Sequence, residues 1–129
     1  MAYNPKDIVG ALAPNDVPVN LLFVNCSPRA KHNSQIPMDR AITAAEKIPG
    51  VNVDSFHFHG KKMEFCIHCG KCSSLECIYK DDFNQFRDKW LWADGVVWVT
   101  PVYHMGPPAK MRAVLDRLIP AARAWGREV

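Results

Sequence analysis

Short apolar runs constrain the fold of this chain more than any other feature. Residues 19–25 read Val-Asn-Leu-Leu-Phe-Val-Asn, and residues 95–100 read Gly-Val-Val-Trp-Val-Thr. Neither run alternates like a strand with one wet face. Both predict strands covered on two sides, as in a parallel sheet. Residues 51–58 alternate over part of their length and predict another strand. Helical patterns fall between and after these runs. Residues 34–47 predict a helix with Ile42, Ala45 and Ile48 as its apolar stripe. It tolerates Pro37 only near its first turn and is stopped by Pro49-Gly50. Asp82 with Gln85 three residues on has the form of a capping box and predicts a helix over 82–92. Residues 109–123 predict a last helix, with Met111, Val114, Leu115 and Leu118 on one face. The order β-α-β-loop-α-β-α implies an α/β fold, a parallel sheet with right-handed crossovers and helices on both faces.

The chain has 129 residues, the size of one small domain. Doubly wound sheets commonly have about five strands, ordered 2-1-3-4-5, and this sequence supplies three. The third would end as an open apolar edge, which proteins normally cover. The expectation is an incomplete sheet finished by a partner, either a second polypeptide or another copy in a homo-oligomer. Residues 1–18, with three prolines, predict an N-terminal extension. Residues 19–129 form the N-terminal part of the domain, with a cysteine-rich loop at 60–80. The composition, 48% apolar and 22% charged, excludes a disordered or fibrous chain. No apolar run reaches the length of a membrane span. The first ten residues lack the charged and apolar regions of a secretory leader, so the expected location is cytoplasmic, with no membrane partner. The net charge of +3 comes from scattered residues and points to no nucleic-acid partner.

Four of the five cysteines lie between Cys66 and Cys77, spaced C-x2-C-x2-C-x4-C. A disulfide framework spreads its cysteines to staple distant loops, whereas a tight group reads as a metal site. Thiolates suit zinc or an iron–sulfur cluster. The run C-x2-C-x2-C resembles the bacterial ferredoxin pattern, but there the fourth cysteine precedes proline and here Ile78 follows Cys77. With Gly70 for flexibility, Cys66, Cys69, Cys72 and Cys77 can reach one [4Fe–4S] cluster. Zinc sites usually show two separated C-x2-C knuckles, absent here. Free or redox-active thiols are the third reading. Lys61, Lys62 and Lys71 lie near in sequence and would raise the potential of a cluster. His57 and His59, two apart on the second strand, read as structural.

In a sheet of order 2-1-3, ligands bind beyond the carboxyl ends of the strands where the order reverses, between the first and third. The loop after the first strand holds Ser27, Arg29, Asn33 and Ser34 and leads into a helix. Hydroxyls, an amide, a guanidinium and helix N–H groups together suit a phosphate; the alternative is a polar turn capped by Ser34. No Walker loop is present. A phosphatase loop is excluded, because His32 stands where the arginine six residues after Cys26 would be. Cys26 reads as a small buried hydrophobe. In the loop after the third strand, Tyr103 can stack on a flat ring, His104 can hydrogen-bond one, and Gly106 permits close backbone approach; packing and solvation are the plainer roles. Trp90 and Trp92 read as core or interface. Lys110, Arg112, Arg117, Arg123 and Arg127 along the last helix read as a solvated or partner-facing side.

Three segments together resemble the flavodoxin-like iron–sulfur flavoproteins of the NADPH-dependent FMN reductase superfamily. They are Cys26-Ser27-Pro28-Arg29 with Asn33-Ser34; the cysteine group with Lys80-Asp81-Asp82-Phe83; and Thr100-Pro101-Val102-Tyr103 leading to Lys110 and Asp116-Arg117. Their order covers residues 21–118. The resemblance implies a flavodoxin-like fold and FMN as cofactor, its phosphate held by Ser27, Arg29, Asn33 and Ser34. The isoalloxazine would lie against Pro101, Val102, Tyr103, His104, Met105 and Gly106. Cys66, Cys69, Cys72 and Cys77 would hold a [4Fe–4S] cluster near a flavin, that of a neighbouring subunit included. The implied role is an oligomeric redox subunit passing electrons between cluster and FMN, with NAD(P)H or a redox partner outside it. The sequence departs from the family where Cys26 replaces the usual glycine of the phosphate loop. It departs again in lacking the last two strands, which supply a third loop around the flavin. No side chain reads as an essential acid or base. The competing readings are a zinc-stapled assembly subunit without flavin and a cluster-free FMN reductase.

Overall fold

A computed structural model describes residues 18–72 and 76–118. Strands β1 (Val19–Asn25), β2 (Val51–His57) and β3 (Gly95–Val99) form one sheet, ordered β2-β1-β3 with both pairings parallel. Helix α1 (Gln35–Ala45) joins β1 to β2, α2 (Phe83–Trp92) precedes β3, and α3 (Ala109–Asp116) follows it. The α/β architecture and three-stranded order are those the sequence implies. The expected extension over 1–17 and the stretch beyond residue 118 lie outside the described residues.

β1 lacks alternation because it is covered on both faces. Leu22 and Val24 enter one apolar cluster with Phe56, Phe58, Phe83, Phe86 and Val114, while Phe23 enters another with Met38 and Ala45 of α1. So α1 covers one face of the sheet, and α2 with α3 cover the other. Phe86 is fully buried at the centre of the larger cluster. Its ring lies 5.4 Å from Phe56 and 5.8 Å from Trp98, centroid to centroid, within the range where aromatic pairs attract beyond simple area burial. Trp90 and Trp98 pack on this cluster, whereas Trp92 is exposed.

Two helix starts differ from the sequence expectation. Ser34 has no side-chain cap bond at α1. Asp82 has none at α2, so the capping box does not form. Its carboxylate instead accepts the Lys62 backbone N–H at 2.8 Å and faces Lys61 Nζ, which also reaches Gln85 Oε1 at 2.9 Å. The two acceptors anchor the root of the cysteine-rich loop. Asp81 takes over at the helix start, accepting the Phe83 N–H at 3.3 Å.

Candidate functional site

All three loops of interest leave the carboxyl ends of parallel strands and so emerge at one edge of the sheet. The loop after β1 is shaped by its own side chains. Asn25, 3% exposed, accepts the Ser27 N–H through Oδ1 at 3.0 Å and donates through Nδ2 to Gln35 Oε1 at 3.0 Å. Ser27 Oγ accepts the Arg29 N–H at 3.2 Å, which leaves its hydroxyl proton to donate. Beyond the loop, His59 Nδ1 lies 2.9 Å from the Pro28 carbonyl oxygen and ties the segment after β2 to this turn. That is the structural role expected of this histidine.

Ser27, Arg29, Asn33 and Ser34 gather with Pro101 around one cavity of about 340 Å³, closed on the far side by Val99 and Thr100 of the β3 end. It lies at the β1–β3 switch point. The first turn of α1 has no side-chain cap and no acidic residue, but Gln35 donates its N–H to the His32 carbonyl at 2.8 Å and Pro37 has none, so the side chains are the main donors here. Hydroxyls, an amide and a guanidinium form a donor set that fits a phosphate monoester such as that of FMN. Val102, Tyr103, His104, Met105 and Gly106 lie outside this cavity. Tyr103 and Gly106 exchange backbone hydrogen bonds of 2.8 and 3.0 Å around a tight turn. Its two central residues, His104 and Met105, have φ of 44° and 67°, and Met105 is 96% exposed. The turn thus holds an apolar tip, Val102 to Met105, out from the sheet edge in a backbone conformation that L-residues rarely adopt. The other non-glycine residues with positive φ among those described are Lys31 and His68. Every such residue therefore falls in one of the three loops.

Cys26 is buried beside β1, and burial pushes its thiol up to about 12. It is the inert small hydrophobe expected. Cys66, Cys69, Cys72 and Cys77 behave differently. None is in a disulfide, none is fully buried, and all four line one cavity with Ile67, Tyr79 and Arg117. His68 and Gly70 turn the chain between them at φ of 50° and 71°. Among the described residues, no three His, Cys, Asp or Glu side chains converge on the position of a single ion. Four cysteines around one cavity form a donor set that suits a thiolate-bound group, whether zinc or a four-iron cube.

The floor of this cavity was not foreseen. Arg117, expected on a solvated helix face, is 3% exposed. Its guanidinium grips Asp81 with two bonds of 2.6 and 2.9 Å, donates to the Glu64 carbonyl at 3.1 Å and lies 4.2 Å from the Phe83 ring centre. Burial pushes the Asp81 carboxyl up, but the bonds and charge of Arg117 and the N–H groups of Glu64 and Phe83 outweigh it and hold the group below its ordinary value. Lys110 also departs from expectation, donating to the carbonyls of Lys61 at 2.6 Å and Phe58 at 3.4 Å. Arg112 does face solvent, with Asp116 at 3.6 Å; Arg123 and Arg127 lie outside the described residues. Of the lysines expected near the cysteines, Lys61 is committed to Asp82 and Gln85, Lys62 to Glu64, and none of the three lines the cavity.

The model of the NADPH-dependent FMN reductase family matches residues 19–128. The chain belongs to that family. An iron–sulfur flavoprotein of Archaeoglobus fulgidus is 32% identical over 95 residues, 73% of this chain and 43% of that protein. One from Methanocaldococcus jannaschii is 37% identical over 73 residues, covering 55% and 37%, and one from Methanosarcina thermophila 28% over 97 residues, covering 74% and 50%. The chain thus spans half or less of the length of these curated relatives. No solved structure gives a significant match. Membership in the FMN reductase family supports a flavin-linked redox role and FMN as the cofactor. No helix among the described residues is long and apolar enough to cross a membrane.

Proposed function

We propose that this chain is a redox subunit that binds FMN at the β1–β3 switch point and a [4Fe–4S] cluster on Cys66, Cys69, Cys72 and Cys77. The observation that carries the reading is the gathering of all four cysteines around one cavity, in a loop rooted at the same sheet edge as the switch-point cavity. The names of the relatives in the archaeal proteins point the same way.

FMN, when bound, exchanges electron pairs with a hydride donor of the NAD(P)H type and single electrons with a cluster. The chain's own residues supply position and electrostatics. Ser27, Arg29, Asn33 and Ser34 would hold the phosphate through their hydroxyls, amide and guanidinium. The turn of Val102, Tyr103, His104, Met105 and Gly106 presents an apolar tip against which a flat ring can rest, and Pro101 joins the two parts. Asp82 and Lys110 fix the root of the cysteine loop, so that the thiols stay at a set distance from the sheet edge. With β3 an edge of the sheet among the described residues, a further polypeptide or a second copy of this chain completes the sheet and the flavin site. A site of four free thiols suits a reducing compartment, as expected of the cytoplasm.

Substituting one ligand tests the reading. Cys69→Ala, purified without oxygen, is expected to lose most of its iron while keeping the far-UV dichroism of the α/β core, since Cys69 is exposed and packs on none of it. Retention of the full iron content by this variant overturns the ligand assignment.

A further inference from the structure

Arg117 is a buried cation, and it lies where the cysteines meet the core. Its guanidinium is clamped by Asp81 and the Glu64 carbonyl and stacked on Phe83, with the Tyr79 ring 5.4 Å away. Those bonds use three of five N–H donors. Nε, fully buried, has no hydrogen-bond partner. Unsatisfied buried donors are rare in proteins and call for a cause. The side chain lines the cavity that holds all four cysteines, as does Asp116, whose carboxylate is paired with Arg112 at 3.6 Å, whereas Asp81 does not line it. The ion pair therefore has its positive end towards the cysteines and its negative end behind.

We propose that Arg117 is a positioning residue for the cluster site, holding a fixed positive charge at the cysteine-lined cavity and thereby raising the reduction potential of the group bound there. The inference rests on the cluster reading above. One-electron reduction, with the electron supplied by a flavin or a chemical mediator, leaves a thiolate-ligated cluster one charge more negative with no bond made or broken. A nearby cation favours that reduced state, and charge is an established determinant of cluster potential. Asp81, on the far side, keeps the guanidinium from swinging out to solvent and partly offsets its charge.

The test uses the full chain with its cluster rebuilt anaerobically from iron and sulfide, read by iron and sulfide content and by a mediated redox titration followed by electron paramagnetic resonance. Arg117→Gln is expected to keep its iron and to show about a tenfold smaller reduced-to-oxidised ratio at the wild-type midpoint, about 59 mV more negative for one electron. Arg117→Lys should recover part of that shift. Asp81→Asn should move the midpoint the other way, because it leaves the arginine's charge unbalanced. If Arg117→Gln fails to fold, the double variant Asp81→Asn/Arg117→Gln, which buries no lone charge, carries the test and should also lie below wild type. An unchanged midpoint in the arginine variants, or shifts of the same sign in Arg117→Gln and Asp81→Asn, overturns the proposal and marks the pair as purely structural. Wild-type chain that takes up no iron and sulfide overturns the cluster reading itself, and this inference falls with it.

Discussion

Arg29 and Asp81 mark two kinds of residue in this chain. Arg29 is exposed at the mouth of the switch-point cavity, makes no fold-stabilising side-chain contact that we observe, and has a guanidinium suited to a phosphate. Arg29→Ala should therefore weaken FMN binding about ten- to a hundredfold, the loss of charge-assisted hydrogen bonds, with iron content unchanged. Flavin titration by fluorescence quenching reads this, and equal affinity in both proteins removes Arg29 from the site. Asp81 is committed to the fold. Its carboxyl is held below its ordinary 3.8 despite burial, so its stabilising contribution is complete above that value and is lost as the pH falls through the lower native one. Unfolding of the apo-protein in urea, followed from about pH 5 down to about pH 2, should show this acid loss, and Asp81→Asn should flatten it. An equal slope in the variant would contradict the assignment. The gathering of polar donors after β1 and that of the four cysteines were legible in the sequence because each lies within a dozen residues of chain. The Asp81–Arg117 pair was not, because its members are far apart in the chain and each alone looks like a solvated charge. Only tertiary contact with Phe83 and the Glu64 carbonyl buries them.

At the scale of elements, the strands were readable because burial on both faces removes alternation from β1, and the core explains this residue by residue. Phe86→Ala, at the centre of the aromatic group on α2, should cost roughly 3–5 kcal/mol in unfolding free energy; a loss below about 1 kcal/mol would contradict the packing described. Helix starts were less readable. Asp82 and Gln85 have capping-box spacing, but the loop root outcompetes the helix terminus for both side chains, and spacing alone cannot show that competition. The turn after β3 was recognised as a loop, yet its backbone was not. His104 and Met105 adopt positive φ without being glycine, so a propensity-based reading has no signal for them. Met105→Gly should relieve the turn and raise stability by roughly 1 kcal/mol. Calorimetry of the apo-protein measures this, and a lower melting temperature would argue against strain at that position.

At the scale of the molecule, the dominant fact is an α/β sheet in which β3 is an edge among the described residues, in a chain that spans about half the length of the curated relatives it matches. Val97, at the middle of β3, is 36% exposed. Exposed apolar edges pair with other strands, so the chain alone should sediment above its monomer mass of 14.6 kDa, and Val97→Lys should shift it towards the monomer. Monomeric wild type at high concentration would contradict edge pairing. The central claim, however, is chemical: one chain bearing both a flavin site and a cluster site. The most direct measurement is the iron, sulfide, zinc and flavin content of protein purified without oxygen. The account predicts about four irons and four sulfides per chain, together with FMN. Stoichiometric zinc without flavin would contradict it and leave a metal-stapled α/β subunit, and FMN without iron would leave a flavin reductase whose cysteines carry no cluster.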